Sequence, residues 1–139
     1  MALTSSRYKF RKPERIMADI LIADDDPILV EILKFRLEGA GYSVVAASDG
    51  AQALETAKEI RPDLIVLDSM MPIMSGPAVL TALKADPDLK DIPVVMLTAR
   101  NGEADIVAGL KSGAAEYLTK PFIPQELLVR ISGLVEATQ

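Results

Sequence analysis

Between residues 18 and 135 the chain repeats one pattern: a short apolar run, then a segment whose apolar residues recur at helical spacing. Ile20 to Ala23 is a compact apolar run ended by Asp24, Asp25 and Asp26. Pro27 then opens a helix at its first position, with Asp26 as its cap. Leu29, Ile32, Leu33 and Leu37 follow the helical period, and Gly39 and Gly41 close it. Val44 to Ala46 reads as a second short strand. Ser48-Asp49-Gly50 leads into a second helix with Ala53, Leu54, Ala57 and Ile60 on one face, stopped by Pro62. Leu64 to Leu67 is a third strand running into Asp68, and Ser75, Gly76 and Pro77 begin a helix bearing Val79, Leu80 and Leu83. Pro93 to Leu97 is a fourth strand ending at Thr98, followed by a helix with Ile106, Val107 and Leu110, closed by Gly113. Tyr117 and Leu118 lie in a fifth strand. Pro124 opens a last helix with Leu127, Leu128, Ile131, Leu134 and Val135 on one face.

Five strand–helix units constrain the fold strongly. Right-handed crossovers between such units give an open, doubly wound α/β sheet of five parallel strands with helices on both faces. The first, third and fourth runs are continuously apolar, as strands covered on both sides are. In sheets of this kind ligands bind beyond the carboxyl ends of the strands, where the strand order reverses.

Composition limits the chemistry. The chain of 139 residues fits one domain, and it holds neither cysteine nor histidine. Disulfides, thiol chemistry and the commonest general base are therefore excluded. No apolar run approaches the ~18 residues that span a bilayer. The N-terminus has no apolar signal core, so a cytoplasmic setting is expected. Charge is uneven. Of 15 basic and 20 acidic residues, five basic (Arg7, Lys9, Arg11, Lys12, Arg15) and one acidic (Glu14) lie in residues 1–16. The other ten basic and nineteen acidic residues make an acidic body, which repels a nucleic-acid backbone. Residues 1–17 read as a flexible basic extension, residues 18–139 as the folded domain, and Met17 as a candidate native start.

The polar residues gather on one edge of this scheme. Asp24, Asp25 and Asp26 follow the first strand, Asp68 the third, Thr98 the fourth and Lys120 the fifth. Converging carboxylates raise one another's pKa unless positive charge sits among them. Lys120 supplies one charge, and a divalent cation is the natural second. Hard oxygen ligands with positions left for water and phosphate suit Mg²⁺. A carboxylate beside Mg²⁺ can attack phosphorus and form an aspartyl phosphate. The Thr98 hydroxyl could hydrogen-bond a phosphoryl oxygen, and none of this needs histidine.

Asp24-Asp25, Leu67-Asp68-Ser69-Met70-Met71-Pro72 with Gly76, Leu97-Thr98-Ala99 and Lys120-Pro121-Phe122 together resemble the motifs of bacterial two-component response-regulator receivers. The resemblance covers roughly residues 18–137. It implies a flavodoxin-like sheet of strand order 2-1-3-4-5. It implies that Asp68 is the phosphoacceptor, served by a phosphohistidine on a sensor histidine kinase or phosphotransfer protein. Asp25 would ligate Mg²⁺ directly, Asp24 largely through water, and the Met70 backbone carbonyl would complete the protein ligands. Thr98 and Lys120 would contact the phosphoryl group, with Tyr117 the switch aromatic and Ala99 leaving room for it. The Lys120–Pro121 peptide would be cis. The fourth helix, fifth strand and fifth helix would form an output face for a downstream target or a homodimer. Such a protein is a signalling switch rather than an enzyme, though it assists its own phosphorylation and dephosphorylation. Ser75 stands where many relatives are acidic, which concerns the cap. Met70 and Arg100 occupy positions that tune dephosphorylation in the family.

Other classes compete. A haloacid-dehalogenase-type phosphohydrolase would place its nucleophile at Asp24 and a second aspartate at Asp26. It would need a threonine where Ile28 stands. A flavodoxin-like FMN carrier needs a hydroxyl- and glycine-rich phosphate loop where three aspartates stand. A receiver-like module that binds partners without phosphorylation would leave the acceptor set unexplained. The sequence holds no effector domain, so the chain reads as a stand-alone regulator or a piece of a longer protein.

Overall fold

The structure, a computed structural model, describes residues 17–99 and 113–137. The strands are β1 (Asp19–Ala23), β2 (Ser43–Ala47), β3 (Leu64–Asp68), β4 (Val94–Ala99) and β5 (Glu116–Lys120). The helices are α1 (Pro27–Gly39), α2 (Gly50–Ile60), α3 (Gly76–Ala85) and α4 (Pro124–Ala137). Thus α4 is the fifth helix of the sequence reading. The expected helix with Ile106, Val107 and Leu110 lies outside the described residues, as do Arg100 and residues 1–16 of the basic extension.

All strand pairs are parallel and the order is β2-β1-β3-β4-β5. Burial follows position. Every residue of β3 is buried, and β1 and β4 are buried except at one end, whereas the edge strands β2 and β5 are only partly covered.

Successive side chains of a strand point to opposite faces, so each central strand feeds two cores. Ile20, Ile22, Val66, Val95 and Leu97 pack with Val30, Leu33 and Leu37 of α1 and Leu127, Ile131 and Val135 of α4. Leu21, Ala23, Ile65, Leu67 and Met96 pack with Ala53 and Ala57 of α2 and Val79, Leu80 and Leu83 of α3. The small Ala53 and Ala57 let α2 lie close to the sheet. Each fully buried leucine or isoleucine contributes about 1.5–3 kcal/mol of transfer free energy.

The helix starts are chemically fixed. An Asp26 carboxylate oxygen accepts from the amides of Ile28 (3.0 Å) and Leu29 (3.3 Å), with Pro27 at the first helical position. Asp49 accepts from the Gln52 amide at 2.8 Å, and the Gln52 side chain accepts from the Ser48 amide at 2.7 Å. Ser75 caps α3 by accepting from Ala78. One expectation for α1 needs correction. Val30 is buried, whereas Ile32 is 44% exposed. The early turns of α1 carry apolar residues all round, so spacing alone does not choose the face; the packing of α4 alongside does.

Candidate functional site

Strand adjacency brings the expected residues together. Ala23 pairs with Leu67, so the residues that follow, Asp24 and Asp68, stand beside each other at the carboxyl ends of β1 and β3. The Asp24 amide still bonds the Ala47 carbonyl at 3.1 Å, which extends the ladder by one residue and fixes its backbone. Asp24, Asp68 and Thr98 are the buried polar residues among those described, while Asp25 is exposed.

Lys120 ends β5 and reaches across the sheet. Its Nζ lies 2.9 Å from Asp24 Oδ2 and 3.3 Å from Asp68 Oδ1. Asp24 uses its other oxygen to accept from the Asp26 amide at 2.9 Å. The Met70 amide points at Asp68 Oδ1 at 3.5 Å. Burial, then the Asp24 charge, push the Asp68 carboxyl above its usual pKa of 3.8; Lys120 and the Met70 amide oppose this without cancelling it. For Lys120, burial works against the charge. The hydrogen bond to Asp24 and the charges of Asp24 and Asp68 outweigh it, so its pKa is raised and it remains an ammonium ion.

One carboxylate oxygen from each of Asp24, Asp25 and Asp68 lies within 4.8 Å of the others. Three hard oxygens, two from buried residues and one from an exposed residue, form a donor set that fits Mg²⁺ and leaves positions for water and phosphate. A cavity of about 530 Å³ opens above Asp68 and Lys120. Ser69, Met70, Ala99, Pro121 and Phe122 help to wall it. Thr98 lies on β4 one residue beyond the partner of Asp68 and is 2% exposed. Its hydroxyl makes no hydrogen bond among the described residues. The Lys120–Pro121 peptide is cis, as expected. Tyr117 is half-buried on β5, opposite Met96, against the core formed with α2 and α3.

These features match a known pattern. The family description of the response regulator receiver domain fits residues 20–132. The chain belongs to the response-regulator receiver family. It is therefore a signalling domain of two-component systems, with the fold of that family. The chain is 47% identical to the DNA-binding response regulator MtrA of Mycolicibacterium smegmatis over 112 residues, which are 81% of this chain and 48% of that protein. It is 44% identical to the DNA-binding dual master transcriptional regulator RpaA of Synechocystis over 122 residues, 88% of this chain and 51% of that one. The chain thus spans about half the length of these curated relatives. Among solved structures, the receiver domain of Francisella response regulator 1452 superposes with a TM-score of 0.82 at 35% identity, covering 88% of this chain and 99% of that one. The chemotaxis response regulator CheY4 of Vibrio cholerae gives 0.80 at 34% identity, covering 85% and 98%.

Two rivals lose their footing here. Asp26, the second aspartate of a haloacid-dehalogenase-type reading, caps α1 instead. No phosphate-binding loop follows β1; three aspartates do. The sequence reading missed the contacts that hold the loop after Asp68. Their sequence signals were Gly50 and Gly76, each a glycine at the first position of a helix.

Proposed function

We propose that this receiver is a phosphoacceptor switch in which Asp68 takes a phosphoryl group in a Mg²⁺-dependent reaction. The observation that carries the reading is the placement of Lys120 between Asp24 and Asp68 at the floor of an open cavity. It leaves one buried carboxylate facing the cavity with a cation at its side.

Asp24, Asp25, Asp68 and the Met70 backbone carbonyl would hold the metal. When bound, Mg²⁺ neutralises charge on the phosphoryl oxygens. The protein's own groups do the rest. An Asp68 oxygen lone pair forms the new O–P bond while the P–N bond to a donor phosphohistidine breaks. The electron pair returns to the imidazole, which takes up a proton. The Lys120 ammonium balances charge on the incoming group, and the Thr98 hydroxyl, with no partner among the described residues, donates to a phosphoryl oxygen. Burial of Asp68 limits water around the acyl phosphate.

Phosphorylation biases a two-state equilibrium only through groups that interact differently in the two states. Thr98 and Tyr117 are those groups here. Movement of Thr98 towards the phosphoryl group lets Tyr117 turn inward, which changes the face made by β5, α4 and the helix expected from the sequence before β5, which lies outside the described residues. That face addresses a downstream partner or a second copy. The donor is a sensor histidine kinase or phosphotransfer protein, and the setting is cytoplasmic. The switch domain is residues 18–139, with residues 1–17 as an extension.

Intact mass tests the reading. Incubation with a small acyl or amido phosphate should add one phosphoryl group only with Mg²⁺, and none to Asp68→Asn. A gain that survives Asp68→Asn would refute Asp68 as the acceptor.

A further inference from the structure

We infer that Gly50, the first residue of α2, is a positioning residue for the metal-binding loop: its bare backbone is the rest against which the β3–α3 connection leans. The inference rests on the reading of the Met70 carbonyl as a metal ligand.

The geometry is steric first. Gly50 is buried, and a Cβ built on it would lie 1.8 Å from the carbonyl oxygen of Met74, 2.6 Å from its carbonyl carbon and 2.7 Å from its Cβ. Two of these three are backbone atoms, so no rotamer change removes the clash. To reach ordinary contact, at 3.4 Å or more, the connection itself has to move away. Hydrogen bonds hold it in place from the same side. The Gly50 amide donates to the Pro72 carbonyl at 3.3 Å, and the Met74 amide donates to that carbonyl at 2.7 Å.

The rest is rigid and the connection is tense. Asp49, Gln52 and Ser48 bond one another's side chains and amides around the start of α2, fixing its first turn. Between Pro72 and Met74, inside the turn that the Met74–Pro72 bond closes, lies Ile73 with φ of 70°. A β-branched residue there costs on the order of 1–3 kcal/mol, and it persists only where its surroundings hold it. At the far end Gly76 is equally closed, since a Cβ would meet the Asp68 carbonyl oxygen at 2.2 Å, and its amide bonds the Ser69 carbonyl at 3.1 Å. The stretch from Ser69 to Ser75 is thus pinned at its end by Gly76 and at its middle by Gly50. Met70 lies between Ser69, whose carbonyl the Gly76 amide holds, and Pro72, whose carbonyl the Gly50 amide holds. Moving the middle pin moves Met70.

The test uses the ¹⁵N-labelled full chain, titrated with Mg²⁺ and followed by amide chemical shifts. The variants are Gly50→Ala, and Ala53→Gly one turn further along α2, which weakens the helix without entering the gap. Gly50→Ala should shift the Ser69 and Met70 amides before any metal is added and lower Mg²⁺ affinity about tenfold or more. Ala53→Gly should keep the parent affinity. Parent-like affinity in Gly50→Ala, or an equal loss in Ala53→Gly, would overturn the inference. If Gly50→Ala does not fold, Asp49→Ala loosens the same turn. It should move the same two amides and weaken Mg²⁺ binding, and unchanged amides would overturn the inference. A parent protein that binds no Mg²⁺ would count against the metal reading, and the metal-free Ser69 and Met70 shifts would still decide the role of Gly50.

Discussion

Lys120 and Asp24 are 96 residues apart in the chain and 2.9 Å apart in the fold, and Asp24 is fully shielded from solvent by its neighbours. The contact spans the sheet from an edge strand to the strand at the reversal of order, and it also brings the ammonium to Asp68. A buried carboxylate left without its partner is costly, because the charge stays and its compensation goes.

Lys120→Met therefore destabilises the metal-free protein at neutral pH. Lys120 is itself partly exposed, so the loss is expected at about 1–3 kcal/mol, below the full cost of breaking a deeply buried pair. Urea unfolding measures it as a lower midpoint. An unchanged midpoint would mean that water or rearrangement replaces the lysine.

Asp68 makes the opposite prediction. Its pKa is raised above the ordinary value, so the folded state holds this proton more tightly than the unfolded state does. The stability it contributes is fully present below the unfolded pKa and is lost as pH rises through the folded pKa. At neutral pH without metal, Asp68→Asn should thus be more stable than the parent. The gap should close as pH falls through the folded pKa of Asp68. Thermal unfolding at several pH values would show it, and a less stable Asp68→Asn at neutral pH would contradict it.

Metal should reverse that order. A ligand that binds only the folded chain stabilises it by about 2.7 kcal/mol at a hundred times its Kd. Mg²⁺ should raise the parent's midpoint accordingly and raise Asp25→Asn and Asp68→Asn much less. Equal Mg²⁺ stabilisation of all three would place the metal elsewhere.

Gly76→Ala probes the end of the loop nearest the site. Its methyl group has to displace the Asp68 carbonyl region, an overpacking expected to cost about 1–3 kcal/mol. Denaturant unfolding measures this, and a neutral outcome would show that Asp68 and Ser69 can give way.

The elements were legible because each strand–helix unit carries its own punctuation. Asp26-Pro27, Ser48-Asp49 and Ser75-Gly76-Pro77 mark three helix starts; Asp26 caps the first as expected, and Asp49 and Ser75 prove to cap the other two. The gathering of Asp24, Asp68, Thr98 and Lys120 was legible too, since each follows an apolar run. Strand order was less so. It came with the resemblance, because periodicity carries no information on which strands are neighbours. The face of α1 was misjudged at Ile32 because apolar residues surround its early turns. The clasp of Gly50 on Met74 was not read, as it joins two backbones and only the glycine itself marks it.

The most direct measurement traps the product. Borohydride reduces an acyl phosphate to an alcohol, so protein phosphorylated by a small phosphodonor with Mg²⁺ and then reduced should carry homoserine at position 68, located by peptide sequencing. Homoserine at position 24 or 25, or none from protein shown to carry the phosphoryl group, would contradict the account.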